Sequence, residues 1–425
     1  MSPRRLRIEQ ALDLVPELDE LLPLRATLIG AAREDEERAW AASSAYGTLG
    51  QRLVDADALE AEIPALAERI REHTEALYRQ VARALRAVDA RDYTAAAEAM
   101  IAAGELEEGE RRLAAAERYY RKALELGRKP RERRAEGLAL RRLGRVARLS
   151  GELGEAARLY RAGLEVAEAE RDGEGEVVAC QGLGNIAVDQ GLWQEAHAWY
   201  TRGLTRLSPK LPERLRWQLC NNLAVVTLRS GALAESEEWV ARALEAVRED
   251  DTPGCLAVQN TLGRLRMAQG RAAEAEVVYR AALAAEPGPF TRSSLLVNLC
   301  DALLAQARLA DAEAAARQAE TVAIRNGGVL PLLDAYRALG AVARARRDAE
   351  GFLFFEQALK LCRVDGLPAV ELAATQHAYG LAQLDFGQAE EGCARLREAL
   401  GAYEELGSTP EAEQIRSELA RIRGE

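Results

Sequence analysis

The chain has 425 residues, of which 48% are hydrophobic and 29% charged, and its net charge is −11 at pH 7. So large a hydrophobic fraction excludes a disordered protein, and 13 prolines are too few for a collagen. The acidic balance argues against a nucleic acid or an anionic membrane as the partner, because both require a basic surface.

The hydrophobic residues are mostly Ala and Leu, which favour helices, whereas the β-branched and aromatic residues of strands are sparse. We therefore expect an all-α protein. No apolar run reaches the length of about 18 residues that a transmembrane helix needs, and residues 1–10 are too charged for a signal peptide. The six cysteines fit reduced core thiols better than a disulfide framework, so we expect a cytoplasmic protein.

One phrase of residue types returns about every 40 residues along the chain. In its clearest copy Leu143 and Gly144 are followed by Gly151, then by Ala156 and Tyr160. The copies that contain Cys300 and Gly340 are weaker. Across the chain the small residue equivalent to Gly144 stands at Gly104, Gly184, Ala224, Gly263, Cys300, Gly340 and Gly380.

This phrase predicts a helical hairpin. Gly144 has no side chain and lets two helices approach closely, and Gly151 suits the left-handed backbone at which the first helix ends. Ala156 and Tyr160 share one face of the second helix, which packs on the first. Because one hairpin cannot bury its own apolar faces, we expect the hairpins to stack into a right-handed α-solenoid.

These residues resemble the tetratricopeptide repeat over roughly residues 93–404, although the period is about 40 residues where that repeat has 34. Forty-residue versions are similar to those of bacterial peptide-responsive regulators and of polarity or cargo adaptors. The resemblance implies an extended peptide ligand in a concave groove, which the first helix of each hairpin lines.

The ends of the array differ from the repeats. We predict an N-terminal helical module at residues 1–92, with helical patterns at 31–54 and 58–90 and room for a degenerate repeat from about Leu77. The solenoid is predicted at 93–404 and a C-terminal capping helix at 405–425. Ser408 and Glu411 fit a capping box, and Ile415 and Leu419 follow at helical spacing.

Residues that could carry catalysis are sparse. His73, His197 and His377 fall in different predicted helices and have no partner at a metal-binding spacing. Cys180 and Cys220 share one repeat position and read as core residues rather than nucleophiles. The sequence has no phosphate-binding loop and no nucleophile elbow. We therefore predict a protein that is not an enzyme and holds neither a metal nor another cofactor.

The candidate site is a row of amide and guanidinium side chains on the predicted first helices. Asn side chains about one repeat apart can pair with the backbone of an extended peptide, and Arg can bind carboxylates, so a peptide of acidic character is the predicted partner. The predicted partner-binding residues are Arg141, Arg145, Arg148, Gln181, Asn185, Asn221, Asn222, Asn260, Arg264, Asn298, Arg337 and Arg344.

Several alternatives stay open at this stage. The Asn residues can instead pack between neighbouring first helices, and the Arg residues can serve solubility alone. Gln181 and Ala257 stand where chaperone-binding relatives have Lys, which argues against a chaperone tail as the ligand. The chain can also be a peptide-sensing regulator whose N-terminal helices act on an effector, or a scaffold that self-assembles through Trp217 and Trp239. Sequence does not decide the oligomeric state.

Overall fold

A computed structural model describes residues 64–109, 112–128, 133–326, 329–363, 369–405 and 409–423. Within these ranges the chain forms eighteen α-helices and one short 3₁₀ turn, and no strand. The predicted all-α class is confirmed. The helical pattern at residues 31–54 and the capping residue Ser408 lie outside the described residues.

Most helices pair into antiparallel hairpins, as the repeated phrase predicts. Helix α1 (Pro64–Asp89) precedes the hairpins, and α18 (Thr409–Arg423) follows them. In chain order the eight hairpins are α2 (Tyr93–Gly109) with α3 (Leu113–Gly127), α4 (Arg133–Leu149) with α5 (Leu153–Glu170), α6 (Gly173–Asp189) with α7 (Trp193–Thr205), α8 (Glu213–Arg229) with α9 (Leu233–Ala246), α10 (Thr252–Ala268) with α11 (Ala272–Ala284), α12 (Pro289–Ala305) with α13 (Leu309–Asn326), α14 (Val329–Arg346) with α15 (Phe352–Leu361), and α16 (Ala369–Asp385) with α17 (Ala389–Glu405).

The chain divides into two compact units, with the boundary inside α6. The N-terminal unit ends at Gly182 and the C-terminal unit begins at Leu183. In the N-terminal unit, α1 packs directly on α2, and the backbone turns between them at Arg91 with φ 60°. The same kind of turn, at Arg171, joins α5 to the next first helix. Because α1 precedes the first helix α2 and packs on it, it takes the place that a preceding second helix takes in the repeats.

The recurring glycine lies against the aromatic ring of its own hairpin. A Cβ atom built at Gly144 would approach the Tyr160 ring to 2.9 Å, and one at Gly340 would approach the Phe355 ring to 2.6 Å. Such distances leave no room for a side chain. The same overlap occurs between the glycine and tyrosine of three further hairpins, at Gly104 and Tyr120, Gly184 and Tyr200, and Gly263 and Tyr279.

In two hairpins the residue at the glycine position is larger than glycine, and the residue at the position of the aromatic ring is smaller than a ring. Ala224 and Cys300 stand at the glycine position, and the residues that replace the aromatic ring are smaller, Val240 and Ala316. All four side chains are buried to 96% or more. The size lost on one helix thus offsets the size gained on the other, as close packing requires.

The turns inside the hairpins share one backbone geometry. At Gly151 φ is +81°, and the amide of the next residue, Glu152, donates to the carbonyl of Ala147 at 2.8 Å. This pattern closes the end of the first helix. Ala307 and Arg347 adopt the same left-handed conformation, with φ of 58° and 57°, in the two weaker copies.

The first helices lie on the inner side of each unit. Within the units, first helices of neighbouring hairpins contact one another, α2 with α4 and each successive pair from α8 to α16, whereas successive second helices make at most marginal contacts. Closer spacing on one side curves the stack toward that side. Helix α18 closes the C-terminal unit by packing on α17, where Ile415 is fully buried and Leu419 is 8% exposed. Among the described helices, none is both long and apolar enough to cross a membrane.

Candidate functional site: the first helices of the hairpins

In the N-terminal unit, arginines of α4 face carboxylates of the preceding first helix, α2. Arg142 forms an ion pair with Glu105, and Arg145 Nε lies 2.5 Å from Glu108 Oε1. The Tyr120 hydroxyl also donates to Glu108, at 2.8 Å. The predicted basic cluster is therefore largely neutralised within the chain.

Arg141 is a core residue of the N-terminal unit. Its side chain is 7% exposed, and its guanidinium lies 3.5 Å from the Asp172 carboxylate at the start of α6. Burial lowers the pKa of Arg141, an effect that Asp172 partly offsets. Asp172 also accepts a hydrogen bond from the Gly175 amide, at 3.1 Å. Because Arg141 is enclosed between helices, we leave it out of the proposed binding surface.

Three of the four other predicted binding residues on α4 and α6 also interact with groups of the chain itself. Arg148 is half-buried and engaged with the rest of the chain. Asn185 accepts a hydrogen bond from the Tyr200 hydroxyl, at 2.7 Å, inside its own hairpin. Arg145 is paired as described, which leaves Gln181, a half-buried amide.

In the C-terminal unit, asparagines meet between neighbouring first helices. Asn298 of α12 donates through Nδ2 to Oδ1 of Asn260 on α10, at 2.7 Å. The Oδ1 atom of Asn221 on α8 is buried without a hydrogen-bond partner, and Asn222 beside it is half-buried. One Asn pair thus packs between helices, while the other two residues keep unsatisfied or accessible amide groups.

A cleft opens beside this row, between the N-terminal halves of α10 and α12. Its volume is about 400 Å³, and Asn260 lies in its wall. The remaining lining is mainly apolar, with Leu256, Ala257, Pro287 and Phe290. Phe290 is 53% exposed and presents its ring at this cleft. Sequence reasoning missed this cleft because the exposure of Phe290 has no sequence signal.

The remaining arginines of the row differ in how they are paired. Arg337 forms ion pairs with Asp334 and with Glu371, the latter at 2.9 Å. Arg344 lies 2.5 Å from Asp385. The Arg264 side chain is half-buried and forms no ion pair or hydrogen bond with any described residue, so it is the exception.

An acidic residue, Asp301, stands at the equivalent repeat position on the neighbouring first helix. Asp301 of α12 keeps an exposed surface, and partial desolvation of its carboxyl raises its pKa to about 6. Arg337 acts against the shift and Asp334 adds to it. Asp301 also forms no ion pair with the described residues.

The two tryptophans considered for self-assembly are both engaged within the chain. Trp217 packs against the buried cluster that includes Cys220 and Leu265. The Trp239 indole donates to Glu235 at 3.1 Å, and the Arg242 guanidinium lies 4.5 Å from the centre of its ring. Neither is a bare apolar patch.

The histidines and cysteines are likewise integrated into the fold. His377 Nε2 lies 2.7 Å from Glu418 of α18, and His73 Nε2 lies 3.1 Å from the buried Glu107. Cys180 and Cys220 are 0% and 4% exposed, as their repeat position predicts. In the described part of the chain, no three His, Cys, Asp or Glu residues are grouped so as to hold a metal ion.

The hairpins, their glycine–aromatic contact and their inner row of polar side chains define the fold of a tetratricopeptide repeat solenoid. No family model matches the sequence, and no curated protein matches it. Solved structures do match in fold. One is a Rap protein complexed with competence and sporulation factor, with a TM-score of 0.58 and 13% identity over 84% of this chain and 98% of that one.

Two further solved structures are similar to this chain in fold. The apo quorum sensor NprR from B. thuringiensis has a TM-score of 0.54 and 14% identity, over 74% of this chain and 99% of that chain. The Rap conjugation gene regulator of plasmid pLS20, in complex with a Phr peptide, has a TM-score of 0.51 and 12% identity, over 74% of this chain and 94% of that chain. At these identities the likeness establishes the fold alone.

Proposed function

We propose that this protein is a non-catalytic scaffold that binds an extended peptide, or an extended segment of a protein partner, along the first helices of its C-terminal unit. The observation that carries the proposal is the apolar cleft of about 400 Å³ with Asn260 in its wall. The Oδ1 atom of Asn260 is taken by Asn298, so its Nδ2 remains to donate to a ligand carbonyl. An apolar pocket beside a few placed polar groups is the usual form of a ligand site.

The composition of the row argues for a ligand that is not simply acidic. Arg142, Arg145, Arg337 and Arg344 each face a carboxylate of the same chain. An acidic peptide would have to displace these partners. We therefore place Asn222, Asn260, Arg264 and Asn298 at the centre of the proposed surface.

A peptide-sensing regulator is the second candidate. Two of the similar folds are named a quorum sensor and a conjugation gene regulator, and two were determined with a factor or a peptide bound. In this reading the binding of a peptide by the C-terminal unit would change how the predicted N-terminal module acts on an effector. We retain the cytoplasm as the proposed compartment, since the six cysteines are free thiols.

The test begins with a random dodecapeptide library, from which binders are selected on the full-length protein. Affinities of the selected peptides are then measured by calorimetry for the wild type and for the Asn222→Ala/Asn260→Ala variant. We expect the double variant to lose about tenfold or more, because each unpaired amide in a bound complex costs ~1–3 kcal/mol.

The matched control is Gln357→Ala on the exposed face of the second helix α15, which should bind like the wild type. The proposal fails if no peptide is selected, or if both variants bind as tightly as the wild type while their circular dichroism is unchanged.

A further inference from the structure

Two side chains on neighbouring first helices carry opposite charges that the chain itself does not neutralise. The charge that acts most strongly on Arg264 is Arg229, which has the same sign. The nearest guanidinium to act on Asp301 is that of Arg337, which is turned toward two other carboxylates. Arg264 and Asp301 therefore differ from the paired charges of the same surface.

Both groups are less stable in their charged forms than they would be in water. Burial and the repulsion of Arg229 lower the pKa of Arg264. Partial desolvation of the Asp301 carboxyl raises its pKa to about 6. A ligand group of the opposite sign would restore the stabilisation that each charge lacks.

The repeat places the two charges in register. Arg264 follows Gly263 and Asp301 follows Cys300, which are equivalent positions of successive hairpins. Helices α10 and α12 contact one another, and the axes of packed helices lie about 8–10 Å apart. Neither of the two groups is among the charges that shift the pKa of the other. Roughly one turn before them on their helices lie Asn260 and Asn298, joined by their 2.7 Å hydrogen bond.

Resting on the proposed function, we infer that the bound segment carries an anionic side chain at Arg264 and a cationic side chain at Asp301, two residues apart. Alternate side chains of an extended peptide point the same way and lie about 6.6 Å apart. Long side chains such as Glu and Lys span the remaining distance between the two helices. The apolar cleft beside Asn260 takes a neighbouring apolar side chain of the same segment.

The experiment uses three pools of fluorescein-labelled nonapeptides and the full-length protein. The central residues are Glu-X-Lys in the first pool, Lys-X-Glu in the second and Gln-X-Gln in the third, and all other positions are an equal mixture of Ala, Leu, Ser and Asn. Apparent affinities are measured by fluorescence anisotropy. One opposite-charge pool should bind the wild type at least ~10-fold more tightly than the Gln pool.

The charge-exchange variant Arg264→Glu/Asp301→Arg keeps the net charge and should prefer the opposite order of Glu and Lys. If circular dichroism shows that the exchange variant does not fold, the single variants Arg264→Gln and Asp301→Asn test the inference instead. Each of these should reduce binding of the preferred pool toward that of the Gln pool and leave the Gln pool unchanged.

Equal binding of the charged and Gln pools by the wild type would overturn the inference, as would an exchange variant that keeps the wild-type order. Binding of all pools alike would overturn this inference and leave the proposed function standing. If no pool binds the wild type, both are overturned.

Discussion

Arg229 at the end of α8 and Glu411 at the start of α18 form an ion pair although 182 residues separate them in sequence. The Arg229 guanidinium also lies 5.2 Å from the centre of the Trp193 ring. Both charges of this ion pair also act on Tyr403 of α17. Burial and the nearby Glu411 carboxylate raise the pKa of Tyr403 to about 12, and Arg229 acts against this shift. The C-terminal helix α18 is thus joined to the hairpin of α8 and α9, from which four further hairpins separate it, within the C-terminal unit.

We expect this ion pair to couple the two ends of the C-terminal unit. In a double-mutant cycle of Arg229→Ala and Glu411→Gln, measured by urea unfolding, the interaction energy should be ~0.5–1 kcal/mol, as for partly exposed pairs. The fully exposed pair of Arg248 and Asp250 is the control, and it should show no measurable coupling. Equal interaction energies in the two cycles would contradict the conclusion that the Arg229–Glu411 ion pair couples α8 to α18.

The contact between glycine and ring predicts opposite effects of one substitution at two sites. Gly184→Ala should lower the free energy of unfolding by ~1–3 kcal/mol, because the new Cβ overlaps the Tyr200 ring. Gly401→Ala, inside α17 with nothing within 4 Å, should raise it by up to ~1 kcal/mol. Chemical denaturation measures both. Similar effects at the two sites would mean that helix propensity, not packing, governs the glycine position of the repeated phrase.

Asp301 should make stability depend on pH with a definite sign. Its pKa of about 6 in the fold exceeds the ordinary value of 3.8, so the folded state holds the proton more tightly, and stability falls as pH rises between these values. The groups that act on it or are acted on by it are Arg337, Asp334, Tyr279 and Cys300. Asp301→Asn should therefore stabilise the fold at pH 7.5, by less than ~1 kcal/mol after solvent screening.

The comparison between pH 4 and pH 7.5 carries its own control. At pH 4 the Asp301→Asn variant and the wild type should unfold alike, because the carboxyl is protonated in the folded state. Asp250→Asn, at a fully exposed carboxylate, should leave stability nearly unchanged at both pH values. A benefit of Asp301→Asn that is the same at both pH values would rule out the titration as its cause.

The buried pair of Arg141 and Asp172 should be more sensitive to loss of the acid than to loss of the base. Asp172→Asn leaves a guanidinium buried without its counter-charge, at a cost of about 3 kcal/mol. Arg141→Met removes that charge and should cost less. Arg121→Met on α3, in an ion pair with Glu117 whose two side chains are both exposed, should change stability by no more than ~0.5 kcal/mol. Thermal and urea unfolding of the three variants test this order.

The sequence was sufficient to predict the hairpins, because their signals are local and repeated. Gly144 and Tyr160 are 16 positions apart in one copy and recur with the same spacing in others, so the contact between them could be read from the pattern. The left-handed turn at Gly151 and the burial of Cys180 followed from the same register.

The pairing of the charged row could not be read in this way when each repeat was considered alone. Glu105 and Glu108, which neutralise Arg142 and Arg145, belong to the preceding hairpin, and their position on its first helix was the available signal. The cleft at Phe290 had no signal at all.

The tertiary structure alone decided which charges remain unpaired and which ends of the unit meet. Local sequence fixes the geometry within one hairpin, but the small rotation between hairpins accumulates along the stack. That accumulated rotation brings Arg229 to Glu411, and the placement of each side chain among its neighbours leaves Arg264 and Asp301 without an ion-pair partner among the described residues. Such relationships depend on many contacts summed together, and no single copy of the repeat contains them.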